Sequence, residues 1–94
     1  MQNESSVRMI VSGKVQGVSF RWYSVRIGRN LKLKGYAKNL PDGSVEILVE
    51  GKTSDLETFI RKVKVGPNLA RVDHVAMEWG NLNNAFDNFE IRYV

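Results

Sequence analysis

Apolar and polar residues alternate along several short stretches of the chain, and each stretch predicts a β-strand. The first is Val7–Ser12. Lys34–Leu40 and Ser44–Glu50 flank the turn residues Pro41-Asp42-Gly43, so together they predict a hairpin. Two further strands are predicted at Ala70–Trp79 and, more briefly, at Phe89–Val94.

Two other stretches repeat their apolar positions at helical spacing. The first predicts a helix over Phe20–Leu31, with the small residues Ser24 and Gly28 on its apolar side. A glycine inside a helix lowers helix stability by about 1 kcal/mol relative to alanine. We therefore expect Gly28 to have a packing role, which is to let the helix approach a sheet closely. The second helix is expected to begin at a capping box, Ser54–Glu57, and to end near Gly66-Pro67.

The order of these elements is β-α-β-β-α-β with a short extra C-terminal strand. This order predicts an α+β, ferredoxin-like sandwich in which two helices cover one face of an antiparallel sheet. Residues 7–94 are expected to form this single domain, and residues 1–6 are expected to be a disordered or poorly ordered tail.

Composition narrows the classes of function. The 94 residues include 43 % hydrophobic residues, which is ordinary for a folded domain, and no cysteine, which excludes disulfides, thiolate nucleophiles and cysteine–zinc sites. No signal peptide and no membrane-spanning apolar run is visible. We therefore expect a cytoplasmic protein that does not contact membranes. Its net charge of +4 is compatible with attraction of either nucleic acids or small anionic substrates.

The segment Gly13–Arg21, GKVQGVSFR, lies between the first predicted strand and the first helix. Gly13 and Gly17 can adopt positive φ, so the backbone can curl until several N–H groups point inward and form an anion site at the helix N-terminus. The helix dipole disfavours a cation such as Arg21 in the first turn by about 0.3–1 kcal/mol. An anion bound at the same site would offset this cost, because a guanidinium forms a bidentate pair with phosphate, so Arg21 favours an anion-binding site here. A plain turn with an exposed arginine is the alternative.

The same segment, preceded by Val11, resembles the acylphosphatase signature G-x-V-Q-G-V-x-F-R. A second segment, GYAKNLPDGSVE, is followed by Gly51 five residues beyond Glu46. It is similar to the other signature of that family, G-aromatic-x-x-N-x-x-x-G-x-V-E. The resemblance extends over about Val7–Ile91, nearly the whole chain.

This resemblance implies an enzyme without cofactor or metal that hydrolyses small acyl phosphates to a carboxylate and inorganic phosphate. Arg21 and Asn39 are the implied catalytic residues, with Asn39 orienting the attacking water. The phosphate is expected to be bound by the Arg21 guanidinium together with the loop residues Val15, Gln16, Gly17, Val18 and Ser19. The implied partners are the acyl phosphate and inorganic phosphate, the latter as product and inhibitor, and the protein is expected to be a monomer.

The chain departs from the family pattern at two positions. Lys32 stands where a glycine often follows the first helix, and a lysine in a left-handed position there would be strained. Gly28 stands where many members carry alanine. Both departures concern stability rather than the catalytic pair.

Other polar and aromatic residues are assigned structural roles. His74, the single histidine, is expected to be structural or exposed. Glu46 and Glu50 alternate with apolar residues and are expected on a solvated strand face. Trp22 and Tyr23 are compatible with lining the mouth of the site or with packing in the core or at its rim.

Three alternatives belong to other classes. An RNA-binding domain of the RRM type has the same element order, but the sequence lacks a second aromatic residue for a stacking platform after Lys34-Gly35-Tyr36-Ala37. A module of a larger carbamoyl-handling enzyme is less favoured because the chain ends at Val94. A non-catalytic anion-binding domain of the same fold is the third.

Overall fold

The computed structural model describes residues 3–93, which form one five-stranded sheet and two helices. The elements are β1 Glu4–Lys14, α1 Phe20–Asn30, β2 Lys34–Asn39, β3 Val45–Lys52, α2 Thr53–Val65, β4 Arg71–Asn81 and β5 Phe89–Arg92. The strand order across the sheet is β4-β1-β3-β2-β5. The predicted ferredoxin-like order is therefore confirmed, and the extra strand lies at the edge of the sheet beside β2.

The sheet is mixed rather than wholly antiparallel. β1 pairs antiparallel with both β3 and β4, and β2 pairs antiparallel with β3. β5 pairs parallel with β2, with Gly35 opposite Phe89. The reason is the chain path: after β4 at one edge, the chain crosses to the far edge before β5 begins, so β5 runs in the direction of β2.

The first strand begins earlier than its alternation predicts. Glu4 pairs with Lys52, and Ser6 is buried and donates through its hydroxyl to the backbone carbonyl of Asn81, at 2.9 Å. The prediction of a poorly ordered tail is therefore wrong for residues 4–6. These residues are polar, so their sequence does not show that strands on both sides pair with them. Residues 1–2, like the predicted end of β5 at Val94, lie outside the described residues.

The core lies between the sheet and the two helices. It collects alternate residues of the central strands and the inner faces of both helices: Val7, Met9, Val11, Val45, Ile47, Val49, Phe20, Val25, Leu56, Phe59, Ile60 and Val63 are among them. The alternation that predicted these strands is thus the alternation between the core and the face of the sheet that carries no helix.

Helix α1 approaches the sheet closely at Gly28. A methyl group added there would overlap the ring of Phe89 on β5. The buried positions of α1 are Phe20, Ser24, Val25 and Gly28. Its contact face is therefore centred on the two small residues, as expected for Gly28, while the larger Ile27 packs at the border of the core.

The sequence predicted the end of α2 correctly but not its beginning. Helix α2 begins at Thr53, with Lys52 at the N-cap position and no side-chain cap there, so the predicted capping box at Ser54–Glu57 is wrong. The end of α2 at Gly66 is confirmed. Helix α1 is followed by Lys32 at φ 59°, so this lysine does occupy the left-handed position in which a lysine was expected to be strained.

The segment 82–88, between β4 and β5, folds over the face of the sheet that carries no helix. Phe86 contacts Tyr36 edge-on, with ring centroids 5.8 Å apart. The backbone N–H groups of Asn83 and Ala85 donate to the carboxylate of Glu50, at 3.2 and 2.9 Å. This face is therefore partly covered rather than open to solvent.

This cover overturns the prediction that Glu46 and Glu50 lie on a solvated strand face. Their exposed fractions are 9 % and 4 %. Glu46 accepts hydrogen bonds from Arg8 and from the Tyr36 hydroxyl, both at 2.9 Å. Burial, and then the hydrogen bond to Glu46, raise the pKa of Tyr36. Both carboxylates have structural roles, because Glu46 links β3 to the neighbouring strands through Arg8 and Tyr36, and Glu50 links β3 to the segment 82–88.

Candidate active site

The loop after β1 has the backbone conformation of an anion-binding nest. Gly17 has φ 74° and Ser19, the residue before α1, has φ 63° and ψ 27°. A left-handed residue on either side of Val18 curls the main chain, and successive N–H groups then face the same side. A methyl group added at Gly17 would meet no atom within 4 Å, so the glycine is required by the backbone angle rather than by space.

The N-terminus of α1 opens onto this loop. Ser19 accepts the first helical hydrogen bond, from the N–H of Tyr23, but its side chain makes no capping bond. The first N–H groups of a helix have no partner within the helix, and they carry partial positive charge. A ligand anion would therefore find donors here that belong to the backbone alone.

Arg21 lies in the first turn of α1 and lines the same cavity as the loop. Its guanidinium carbon is 5.1 Å from the centroid of the Tyr93 ring, a cation–π contact. No carboxylate is present among the described residues that line the cavity. The fixed charge of the cavity wall is thus that of one guanidinium, which suits an anion.

Asn39, at the end of β2, brings an amide to the same cavity. Its Oδ1 is buried and has no hydrogen-bond partner within residues 3–93. Buried side-chain oxygens are normally paired, so this oxygen requires a partner from outside the described residues. A water molecule can donate to this oxygen.

The hairpin turn that follows Asn39 is held by its own side chains. Asp42 accepts hydrogen bonds from both the hydroxyl and the backbone N–H of Ser44, the latter at 2.9 Å. These bonds lower the pKa of the Asp42 carboxyl. Asp42 therefore shapes the turn that fixes the end of β2, and it does not line the cavity.

Gln16 connects the loop to this hairpin. Its Nε2 donates to the backbone carbonyls of Leu40 and Ser44, at 2.8 and 3.0 Å. Each carbonyl comes from one side of the turn, so a single amide group ties both strands of the hairpin to the loop.

The cavity has a volume of 310 Å³ and brings together five of the seven residues predicted for the site. Val15, Gly17, Ser19, Arg21 and Asn39 line it, together with Phe20, Trp22 and Ile91. Gln16 and Val18 do not: the Gln16 side chain turns to the hairpin, and Val18 packs against the core.

The contribution of β5 to the site was not predicted. Ile91 and Tyr93 reach the site because β5 lies beside β2, and no local pattern in the sequence indicates that pairing.

Trp22 lines the cavity, whereas Tyr23 faces α2 and donates through its hydroxyl to the backbone carbonyl of Lys62, at 2.7 Å. His74 is exposed on β4 and is not part of the cavity wall, in agreement with its predicted role.

Three further observations concern metal binding, a second cavity and membrane crossing. Within residues 3–93, no three or more His, Cys, Asp or Glu side chains are grouped so that they could hold a metal ion. A second cavity, of 270 Å³, includes Lys34 at the opposite end of β2, and none of the predicted site residues lines it. No helix in the described part of the chain is long and apolar enough to cross a membrane.

Comparison with known proteins adds independent support for the resemblance. The family model described as Acylphosphatase matches residues 7–91. An acylphosphatase of Anaeromyxobacter dehalogenans is 43 % identical over 93 residues, which are 99 % of this chain and 100 % of the relative. An acylphosphatase of Archaeoglobus fulgidus is also 43 % identical, over 88 residues that cover 94 % of this chain and 98 % of the relative.

Solved structures agree with this result. The crystal structure of acylphosphatase from Bacillus subtilis superimposes with a TM-score of 0.92 at 36 % identity, covering 95 % of this chain and 99 % of that one. Full-length HypF, in a phosphate- and nucleotide-bound form, contains a similar region with a TM-score of 0.88 at 29 % identity. That match covers 98 % of this chain and 12 % of HypF.

Proposed function

The chain belongs to the acylphosphatase family, and from this premise we propose how its residues carry out the reaction. The activity is hydrolysis of the carboxyl–phosphate bond of an acyl phosphate, which yields a carboxylate and inorganic phosphate. The relatives that match nearly all of this chain over nearly all of their own length are acylphosphatases, which favours this activity over a role as one module of a larger carbamoyl-handling enzyme.

The phosphoryl group is proposed to bind in the curl of the loop. Backbone N–H groups from Val15 to Ser19 and the guanidinium of Arg21 would donate to its oxygens. The left-handed Gly17 and Ser19 and the exposed start of α1 support this assignment, because they orient main-chain donors before any ligand arrives. Donors oriented in advance need not reorganise as charge develops on those oxygens.

Asn39 is proposed to hold the attacking water. The observation that carries the mechanism is that Asn39 lines the same cavity as Arg21 and that its Oδ1 is buried without a hydrogen-bond partner among residues 3–93. A water that donates one proton to this oxygen has a lone pair left to attack phosphorus. Holding the two reactants together in this way removes much of the entropic cost of their encounter.

The chemistry then needs few further groups. The water oxygen forms a bond to phosphorus while the bond from phosphorus to the acyl oxygen breaks, and the carboxylate leaves with that electron pair. A carboxylate is a weak base, so it departs without being protonated. One proton of the water passes to a phosphoryl oxygen, so the substrate itself acts as the base. The loose transition state carries charge on the equatorial oxygens, which Arg21 and the amides would stabilise.

We also propose the substrate class, the inhibitor and the cellular setting of the enzyme. The substrate is a small-molecule acyl phosphate, inorganic phosphate is a competitive inhibitor, and no metal or cofactor takes part. We also propose that the protein acts as a monomer in the cytoplasm, without a nucleic-acid partner. The absence of cysteine is compatible with a reducing compartment.

An RRM-like function is disfavoured by the face that such domains use. Phe86 does supply a second aromatic ring next to Tyr36. However, the Arg92 guanidinium lies 4.2 Å from the centroid of the Tyr36 ring, and the Tyr36 hydroxyl is bonded to Glu46. A ring with these contacts is not a free platform on which a base can stack.

The deciding experiment follows benzoyl phosphate by its ultraviolet absorbance, with and without EDTA. We expect equal turnover in both conditions and competitive inhibition by inorganic phosphate. Turnover that EDTA abolishes would contradict the metal-free mechanism. Phosphate binding without any turnover would instead support the non-catalytic anion-binding alternative.

A further inference from the structure

Trp22 is a large apolar side chain left at the surface in the wall of the active-site cavity. It follows Arg21 directly in the first turn of α1 and is 46 % exposed. Burying a side chain of this size normally stabilises a protein, so an exposed Trp22 forgoes part of that stabilisation. Its position beside the phosphate-binding residues suggests a use in substrate binding.

The Trp22 ring is held in place from one side. The guanidinium carbon of Arg29, two turns further along α1, is 5.8 Å from the centroid of the ring. Arg29 is itself fixed, because its Nε donates to the backbone carbonyl of Phe89 at 2.8 Å. A ring that is already oriented loses less conformational entropy when a ligand packs against it.

The remaining cavity wall leaves few other surfaces for an acyl group. In the proposed mechanism the loop binds the phosphoryl group and Asn39 binds the water, which attacks in line with the departing carboxylate. Val15 and Phe20 are about 99 % buried and belong to the core. Among the described residues that line the cavity, this leaves Trp22 and the partly exposed Ile91 as apolar side chains that an acyl group can contact.

We propose that Trp22 is the acyl-group recognition residue, and that the enzyme prefers acyl phosphates with an aromatic or bulky apolar acyl group. This inference rests on the proposed function of the same cavity. An indole face attracts aromatic and apolar groups through dispersion and through stacking. A short acetyl group extends little beyond the phosphate and would gain little from Trp22.

The first test compares kcat/KM for benzoyl phosphate and acetyl phosphate. In Trp22→Ala we expect the ratio of kcat/KM for benzoyl phosphate to kcat/KM for acetyl phosphate to fall about tenfold. A change of this size is typical when an aromatic contact and the apolar area that it buries are both lost. Trp22→Phe should keep most of the preference. Inhibition by inorganic phosphate should be unchanged, because that ligand lacks an acyl group. An unchanged preference in Trp22→Ala would overturn the proposal.

Trp79 supplies a matched control. It is also 46 % exposed, but it lies on β4 and does not line the cavity. Trp79→Ala should leave the ratio of the two kcat/KM values unchanged. An equal loss of preference in the Trp79 and Trp22 variants would contradict a specific role for Trp22. A parental enzyme that prefers succinyl phosphate to benzoyl phosphate would also overturn the proposal, in favour of an anionic acyl group near Arg29.

The second test does not depend on turnover. The chain has two tryptophans, so Trp79→Phe leaves Trp22 as the single fluorescent indole. Benzylphosphonate, which cannot be hydrolysed in the same way, should change the Trp22 emission on binding, whereas methylphosphonate should bind with much less effect. Equal responses to both would overturn the acyl-group assignment. Absence of hydrolysis with a selective benzylphosphonate response would count against the proposed catalysis alone.

Discussion

The side-chain amide of Gln16 donates a hydrogen bond of 2.8 Å to the backbone carbonyl of Leu40, the residue after Asn39. The same nitrogen also donates to the carbonyl of Ser44, across the hairpin turn. The two residues linked by the first bond are 24 positions apart in the chain, and one belongs to the loop while the other belongs to the hairpin. Gln16 therefore sets the distance between the proposed phosphate site and the proposed water site.

Gln16→Ala should lower kcat about tenfold while changing the inhibition constant for inorganic phosphate little. The loop amides remain, but their register against Asn39 loosens, and small misplacements of reacting groups are costly. Two lost hydrogen bonds should also reduce the free energy of unfolding by about 1–2 kcal/mol. Steady-state kinetics and urea unfolding measure the two effects.

Tyr23→Phe is the control for Gln16→Ala. It removes one side chain-to-backbone hydrogen bond, to the carbonyl of Lys62, away from the cavity wall. This variant should lose stability without a specific loss of kcat. If both variants lost kcat equally, Gln16 would have a merely structural role.

Arg21→Gln should reduce kcat/KM by at least about 10²–10³, the usual effect of removing one preorganised donor. Inhibition by inorganic phosphate should weaken in parallel, because the guanidinium is proposed to bind the ground state as well. Arg26→Gln, an exposed arginine on the same helix that does not line the cavity, should behave like the parent. Parental activity in Arg21→Gln would disprove the mechanism.

Asn39→Ala should lower kcat by about 10² or more, and the inhibition constant of inorganic phosphate should stay within about twofold of the parental value. The expected reason is loss of the buried Oδ1 that holds the water. Asn39→Asp is the informative comparison, since it adds a negative charge beside the anion and should weaken phosphate inhibition as well. A loss of phosphate affinity in Asn39→Ala as large as its loss of kcat would place Asn39 in ground-state binding instead.

Lys32→Gly should stabilise the protein by about 1 kcal/mol. Lys32 has φ 59° and closes the end of α1 in a Schellman motif. The N–H of Lys32 donates to the carbonyl of Arg29 at 3.0 Å, and the N–H of Leu33 donates to the carbonyl of Gly28 at 2.8 Å. A side chain in this left-handed position costs about 1–2 kcal/mol, and glycine avoids that cost at some loss of entropy.

Lys32→Ala separates strain from charge, because it removes the ammonium group and keeps the strained Cβ. The urea midpoint should rise in Lys32→Gly and stay close to the parental value in Lys32→Ala. A similar rise in both variants would show that the charge, rather than the backbone angle, limits stability.

The local features of the chain were predictable because they depend on neighbouring residues. Alternation in Val45–Val49 and helical spacing in Phe20–Leu31 report which side of each element faces the core. Gly17 adopts the positive φ that was expected of the loop glycines, and Lys32 has the left-handed angle that glycine favours after a helix. These are properties of short segments, and backbone sterics act over short segments.

Apart from the capping box at Ser54–Glu57, a local motif that was also wrong, the incorrect predictions concern residues whose surroundings come from elsewhere in the chain. Glu46 alternates with apolar neighbours like any solvated strand residue, yet it is buried. Phe86 and Tyr36, which are 50 positions apart, meet over that face of the sheet. The burial of Ser6 depends likewise on the pairing of β1 with strands on both sides.

By itself, the sequence determined the order of the elements, the inward face of each and the family whose signatures they carry. Only the tertiary structure decided that Asn39 and Arg21 share one cavity, that Gln16 fastens the loop to the hairpin, and that Trp22 lines the cavity wall. The physical reason is that local periodicity follows from backbone geometry, whereas contacts between distant residues exist only once the strands have paired and the helices have packed on them.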